Sequence, residues 1–221
     1  MNIDKRQESL MELSEGILIA VEGIDGTGKT SIVKSLYDKL SELCYQVAVF
    51  KEPTNETEAG KKIRQSYVEG RVAIEVELGW FIEDRKWDVE NNILPSLAEK
   101  KIVILDRYFF STACYQGARK NNEWESILKL NRSIFPEPNL TIIIDVDPKI
   151  AIERIAKERK ESNTFEGLAY LDNVRELFLE IIEEDTIGTF VIIDGEKPLE
   201  EVITDTFTRV MQFIYSFEES S

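Results

Sequence analysis

Gly23-Ile24-Asp25-Gly26-Thr27-Gly28-Lys29-Thr30 follows the apolar run Ile17-Leu18-Ile19-Ala20-Val21 and precedes a helical pattern. The spacing G-x-x-x-x-G-K-T is that of a phosphate-binding P-loop. Its glycines let backbone N–H groups turn inward around a phosphate, and the helix that follows presents its positive N-terminal end to the same anion. Lys29 is expected to reach the β/γ-phosphates and Thr30 to place its hydroxyl on Mg²⁺, so the ligand implied is a nucleoside triphosphate such as ATP. A plain Gly-rich turn is the competing reading, but it gives no reason for strand, loop and helix to fall where the motif needs them.

The chain around this motif has 221 residues, 43% of them hydrophobic, enough for one α/β domain. Its 27 Lys+Arg stand against 42 Asp+Glu, a formal charge of −15. That balance disfavours a general nucleic-acid or anionic-membrane surface and leaves any basic site as a local pocket. There is no histidine. An imidazole base, a Ser-His-Asp triad and a His-ligated zinc are thereby excluded, and chemistry must run on carboxylates, Lys, Arg and metal. Cys44 and Cys114 are far apart and form no C-x-x-C, as expected for a reducing cytoplasm. Residues 1–15 read as a polar leader with room for a short helix through Leu10, Met11 and Leu13. Residues 16–216 read as a single domain, and 217–221 as a tail.

Ile32, Leu36, Leu40 and Leu43 recur at helical spacing after the P-loop. Val47-Ala48-Val49-Phe50 predicts a strand that Pro53 stops, which leaves Lys51-Glu52-Pro53-Thr54 at a carboxyl end, where doubly wound sheets bind ligands. A long helical region is predicted from about Val72 to Lys100. In it Phe81 and Arg85, four apart, share a face, so a ring and a guanidinium either address one flat anionic ligand or serve as core and surface. Ile102-Val103-Ile104-Leu105 reads as a buried central strand ending in Asp106-Arg107-Tyr108. An Asp there suits a Mg²⁺ shell and the adjacent Arg suits a phosphate. Ile142-Ile143-Ile144-Asp145 matches the same pattern, but Asp145-Val146-Asp147-Pro148 reads as a strand end with a helix start. Farther on, Leu168 to Ile181 predicts a helix, Phe190 to Ile193 a strand, and Val202 to Ile214 a closing helix.

Gly23 to Thr30, Glu52-Pro53, Phe81 with Arg85, and the block D-R-Y-x-x-S-x-x-x-Y-Q-G from Asp106 to Gly117 occur in the order and spacing of thymidylate kinases. The chain resembles that family from about Gly16 to Thr206. The resemblance implies a P-loop NTPase three-layer sandwich with a five-stranded parallel sheet flanked by helices, a homodimer, and transfer of the ATP γ-phosphoryl to dTMP. It also implies roles. Phe81 looks like the ring that stacks on thymine, Arg85 and Arg107 like clamps on base and monophosphate, and Tyr115 like the ring against the deoxyribose. Thr112 matches a base-binding position, with Ser111 and Gln116 in the same block. Asp25 resembles the P-loop carboxylate near sugar and metal, Glu52 the acid beside the acceptor, and Thr30 with Asp106 the metal seat.

The sequence departs from the family in four places. Thr54 and Asn55 stand where a Gly pair often follows Glu-Pro, and Cys114 stands where Ala is usual. Asn163-Thr164 replace an acidic–arginine pair in the lid at about 157–166, and Gly26 leaves the P-loop without an arginine. The cation that crosses the phosphates is therefore expected from the lid, with Arg159 first, Lys160 and Lys157 next, and Arg154 as support. A deoxynucleoside kinase and an inactive P-loop scaffold remain the alternatives. A P-loop GTPase switch would need an N-K-x-D motif, which is missing.

Overall fold

The computed structural model describes residues 11–159 and 165–220, with the side chains of Glu158, Arg159, Phe165 and Glu166 outside that description. Strand β1 (Ile17–Glu22) leads into α1 (Lys29–Glu42) and β2 (Val47–Lys51). Helices α2 (Glu58–Glu69) and α3 (Ile74–Asp88) follow, then a π turn (Val89–Ile93), α4 (Leu94–Ala98) and β3 (Ile102–Asp106). Next come α5 (Phe109–Arg119), α6 (Trp124–Arg132), β4 (Leu140–Asp145) and α7 (Pro148–Arg159). The chain ends with α8 (Phe165–Glu184), β5 (Phe190–Asp194) and α9 (Leu199–Ser220).

The strands form one parallel sheet in the order β2-β3-β1-β4-β5. β1, β3 and β4 are apolar along nearly their whole length because helices cover both faces, the condition parallel strands require. From β1 the chain winds to β3 and β2 on one side and to β4 and β5 on the other. The crevice at the carboxyl end of β1 is thus the topological switch point, where open α/β sheets bind ligands. Register brings Val21, Asp106 and Lys51 side by side at that edge. Ile32, Leu36 and Leu40 of α1 are buried as their spacing predicts, whereas Leu43, at the helix's C-cap, is exposed. The predicted helical region spanning 72–100 is continuous from Ile74 to Ala98 through the π turn. Asp145 is structural: Arg175 of α8 donates to both its oxygens, at 2.6 and 2.8 Å.

The two ends of the chain differ from expectation. Met11 and Leu13 do not form a helix; Met11 makes an isolated parallel bridge to Tyr45, with its N–H on the Cys44 carbonyl at 2.9 Å, and Leu13 is buried in the core. An isolated helical turn is costly to nucleate, whereas the extended path satisfies the Met11 amide and buries Leu13. Leu10 lies outside the described residues. Residues 217–220 of the expected tail form the last turn of α9, where Glu218 accepts from the Ser14 amide and hydroxyl. Leu13→Ala should therefore cost about 2 kcal/mol, the low end for a buried leucine at the edge of a core. Urea unfolding checks this, and an unchanged midpoint would mean that 11–15 is only a leader.

Candidate active site

The P-loop's path depends on its glycines. Gly28, the N-cap of α1, has φ 85°, and Gly26 has φ 84° with its α-carbon so close to α7 that a Cβ would collide with the Ala151 carbonyl oxygen. Both positions need the left-handed region that glycine enters without strain. Lys29 opens α1 and is buried, with Nζ donating to the Ile24 carbonyl at 2.6 Å and to Thr27 Oγ1 at 3.3 Å. Burial, and next the nearby Arg107 guanidinium, lower its ammonium to about 7.

Across the crevice, the end of β3 runs directly into α5. Arg107 has φ 75°, a conformation that costs a side-chain-bearing residue about 1–3 kcal/mol and persists only when its surroundings fix it. They do. The Arg107 amide donates to the Val21 carbonyl at 3.0 Å. Glu22, wholly buried, accepts the amides of Tyr108 at 2.9 Å and Ser111 at 3.0 Å on Oε1, and the Ser111 hydroxyl on Oε2. Burial pushes the Glu22 carboxyl up, against the pull of these donors. Ser111 Oγ in turn accepts from Arg107 Nη1 at 2.8 Å.

The Arg107 guanidinium then joins the two sides of the crevice. Nη2 pairs with Asp25 of the P-loop at 2.6 Å, and the group lies 5.1 Å from the centre of the Tyr115 ring. The Tyr115 hydroxyl accepts the Asp25 amide at 2.8 Å, while Tyr170 of α8 donates to the Tyr115 carbonyl at 2.7 Å. A cation, a carboxylate and a phenol thus meet where the P-loop faces α5.

A second group lies deeper. Arg85 is buried, its Nε and Nη2 donating to Glu52 Oε2 at 2.8 and 2.6 Å, Nη2 also to Thr112 Oγ1 at 2.8 Å, and Nη1 to Asn131. Burial pushes the Glu52 carboxyl up despite Arg85, and its Oε1 has no partner among the described residues. Phe81 lies one turn before Arg85 and is nearly buried. Thr54, the departure from a Gly pair, donates its amide and hydroxyl to Asp84 at 2.7 Å each, so this loop is pinned to α3. Gln116 is buried, its amide donating to Glu77 at 3.2 Å.

The third group is the Thr30–Asp106 pair, with Thr30 Oγ1 donating to Asp106 Oδ2 at 2.6 Å. Lys51 Nζ donates to the same carboxylate oxygen at 2.8 Å and to Thr30 Oγ1 at 3.2 Å. Burial would raise the Asp106 carboxyl, but the Lys51 and Thr30 hydrogen bonds hold it below its ordinary value.

Hydrogen bonds thus bring together Gly23, Asp25, Arg107, Ser111 and Tyr115 in one set, Glu52, Arg85 and Thr112 in a second, and Thr30 with Asp106 in a third, while Phe81 joins none of them by a polar contact. The lid does not enter this geometry: Lys160 and 161–164 lie outside the described residues, as does the Arg159 side chain, although Arg159 ends α7. Lys157 is exposed, and Arg154 donates to the Gly195 carbonyl at 2.9 Å, an anchor for α7. Sequence reasoning missed Glu22, Lys51, Glu77 and Asn131. Glu22 was visible as the lone acid closing an apolar strand. Glu77, which holds Arg71 at 3.0 Å and also Arg119, looked like any helix-surface charge.

A five-stranded parallel sheet flanked by helices, with a P-loop at its switch point, defines a P-loop NTPase α/β sandwich. The thymidylate kinase family model matches residues 21–206. A probable thymidylate kinase of Archaeoglobus fulgidus is 47% identical over 186 residues, covering 84% of this chain and 90% of that protein. A thymidylate kinase of Leptospira interrogans is 39% identical, covering 88% and 94%, and a probable thymidylate kinase of Methanosarcina mazei is 36% identical, covering 90% and 97%. The chain belongs to the thymidylate kinase family, and the activity that goes with membership is phosphorylation of dTMP.

If Lys29 meets a bound triphosphate, binding should be pH-dependent. Its ammonium titrates near about 7 in the free protein, and a bound polyphosphate favours the charged form, so binding at pH 8 should take up close to one proton. Affinity should then fall as pH rises above 7. Calorimetry of ATP binding in two buffers of different ionisation enthalpy measures the uptake, and none at pH 8 would contradict the buried, neutral-leaning lysine.

Proposed function

We propose that this protein transfers the γ-phosphoryl of ATP to the 5′-phosphate of dTMP, giving dTDP and ADP, and acts as a cytoplasmic homodimer with Mg²⁺. The observation that carries this reading is the Arg107–Asp25–Tyr115 junction, which ties the triphosphate loop to the acceptor pocket within hydrogen-bond distances. An acceptor phosphate oxygen attacks the γ-phosphorus as the bond to the β–γ bridging oxygen breaks, and ADP leaves with that electron pair. Such transfers depend on positioning and on charge stabilisation rather than on covalent help from the protein.

The residues divide accordingly. Backbone amides from Gly23 to Thr30 and the Lys29 ammonium hold the triphosphate. Arg107, fixed by Glu22 through Ser111, holds the monophosphate, while Asp25 and Tyr115 set its angle. Phe81 stacks on the base, Tyr115 closes on the deoxyribose, and Glu52, Arg85, Thr112 and Gln116 shape the floor of the base pocket. Thr30 and Asp106 fit a Mg²⁺ seat, because this ion commonly takes one carboxylate and completes its shell with water and phosphate oxygens. When bound, Mg²⁺ neutralises charge on the phosphate oxygens. Arg159, from the end of α7, supplies the cation that crosses the phosphates.

Exposed Val76 and Leu94 on the long α3–α4 stretch support a subunit contact. Among the described residues no helix is long and apolar enough to cross a membrane, and Cys44 and Cys114 are free thiols. An ADP-release assay across dTMP, dUMP, UMP and thymidine tests the acceptor. Turnover should be highest with dTMP and at least about 10²-fold lower with thymidine, which offers Arg107 no charge. Preference for thymidine would indicate a deoxynucleoside kinase, and no turnover with any acceptor an inactive scaffold.

A further inference from the structure

Lys51 ends β2 in register with Asp106 of β3, so its side chain starts beside the carboxylate at the sheet's functional edge. Its ammonium lies 2.8 Å from Asp106 Oδ2 and 3.2 Å from Thr30 Oγ1, and these two oxygens are themselves 2.6 Å apart. The three polar atoms form a triangle whose only cation is tethered. Asp106 is buried, whereas the Lys51 side chain is 58% exposed. The carboxylate is therefore fixed by the fold, and the lysine is free to leave along its flexible stem.

We propose that Lys51 is a displaceable counter-cation of the metal seat: it neutralises the Thr30–Asp106 pair while no divalent ion is present and must be expelled when one binds. The inference rests on the assignment of Thr30 and Asp106 as metal-holding residues. Two positive charges cannot share one carboxylate oxygen at contact distance without strong repulsion, so occupancy by the ion and by the ammonium is mutually exclusive. The buried carboxylate then never stands uncompensated, a state that costs far more than an exposed ion pair returns. Lys51 is a positioning residue in this scheme, acting through Asp106 rather than on substrate.

The test is Mn²⁺ binding to nucleotide-free protein, read from the electron paramagnetic resonance of free Mn²⁺ and independent of activity. Lys51→Met keeps the stem and removes the charge, and should tighten Mn²⁺ binding by about two- to five-fold, the scale of a partly exposed ion pair. Lys51→Arg keeps the charge and should bind Mn²⁺ as the wild type does. Adding Asp106→Asn to Lys51→Met should remove the gain. Equal affinity in wild type and Lys51→Met, with Asp106→Asn still weakening binding, overturns the role of Lys51 alone. Affinity indifferent to Asp106→Asn as well overturns the metal seat and this inference with it.

Discussion

A buried carboxylate at the end of the central strand fixes the geometry on which the site depends. Glu22 closes β1 at the point where the P-loop begins, and its two oxygens take up the amides of Tyr108 and Ser111 and the Ser111 hydroxyl. That set of bonds caps the start of α5 and stabilises the left-handed turn at Arg107. The bonds also have a direction. Ser111 donates to Glu22 and so offers a lone pair to Arg107, which holds the guanidinium over Tyr115 and against Asp25. One acid thereby fixes the Arg107 guanidinium where it meets Asp25 of the P-loop.

The same device recurs around the crevice. Glu52 holds Arg85, Asp84 holds the Thr54 loop, and Glu77 gathers Arg71, Arg119 and Gln116. Each acid is buried, and leaving any one without its donors would cost several kcal/mol. Part of the chain's acid excess is therefore internal architecture rather than a solvated surface. The P-loop is constrained from the far side as well, since Gly26 packs against the Ala151 carbonyl of α7. The helix that ends at Arg159 thus starts its course in contact with the phosphate loop.

The sheet was legible because its signals are local. Apolar runs from Ile17, Ile102 and Ile142 read directly as buried strands, although the run from Ile102, read as central, lies beside the central β1. Arg107, Ser111 and Tyr115 were legible as one motif because α5 carries Ser111 and Tyr115 on successive turns and Arg107 lies just before its first residue. Partners that meet only in the fold were not. Asn131 reaches Arg85 across 46 residues and Arg119 reaches Glu77 across 42, and no periodicity links them. Lys51 was passed over because a charge at a strand end reads as solvated until register sets it beside Asp106. Leu13 reads as part of a short helix with Leu10 and Met11 because three apolar residues in a polar stretch do not reveal what they pack against.

Steady-state kinetics of Glu22→Gln test the central claim most directly. The amide keeps an oxygen for the Tyr108 and Ser111 amides but turns a donor toward Ser111, which removes the hydrogen bond and the negative charge that hold Ser111 in place for Arg107. The account predicts a folded protein whose kcat/KM for the acceptor falls about 10- to 100-fold, the worth of a hydrogen bond to a charged group, while KM for ATP stays within about two-fold. Wild-type kinetics, or an equal loss toward both substrates, would contradict it.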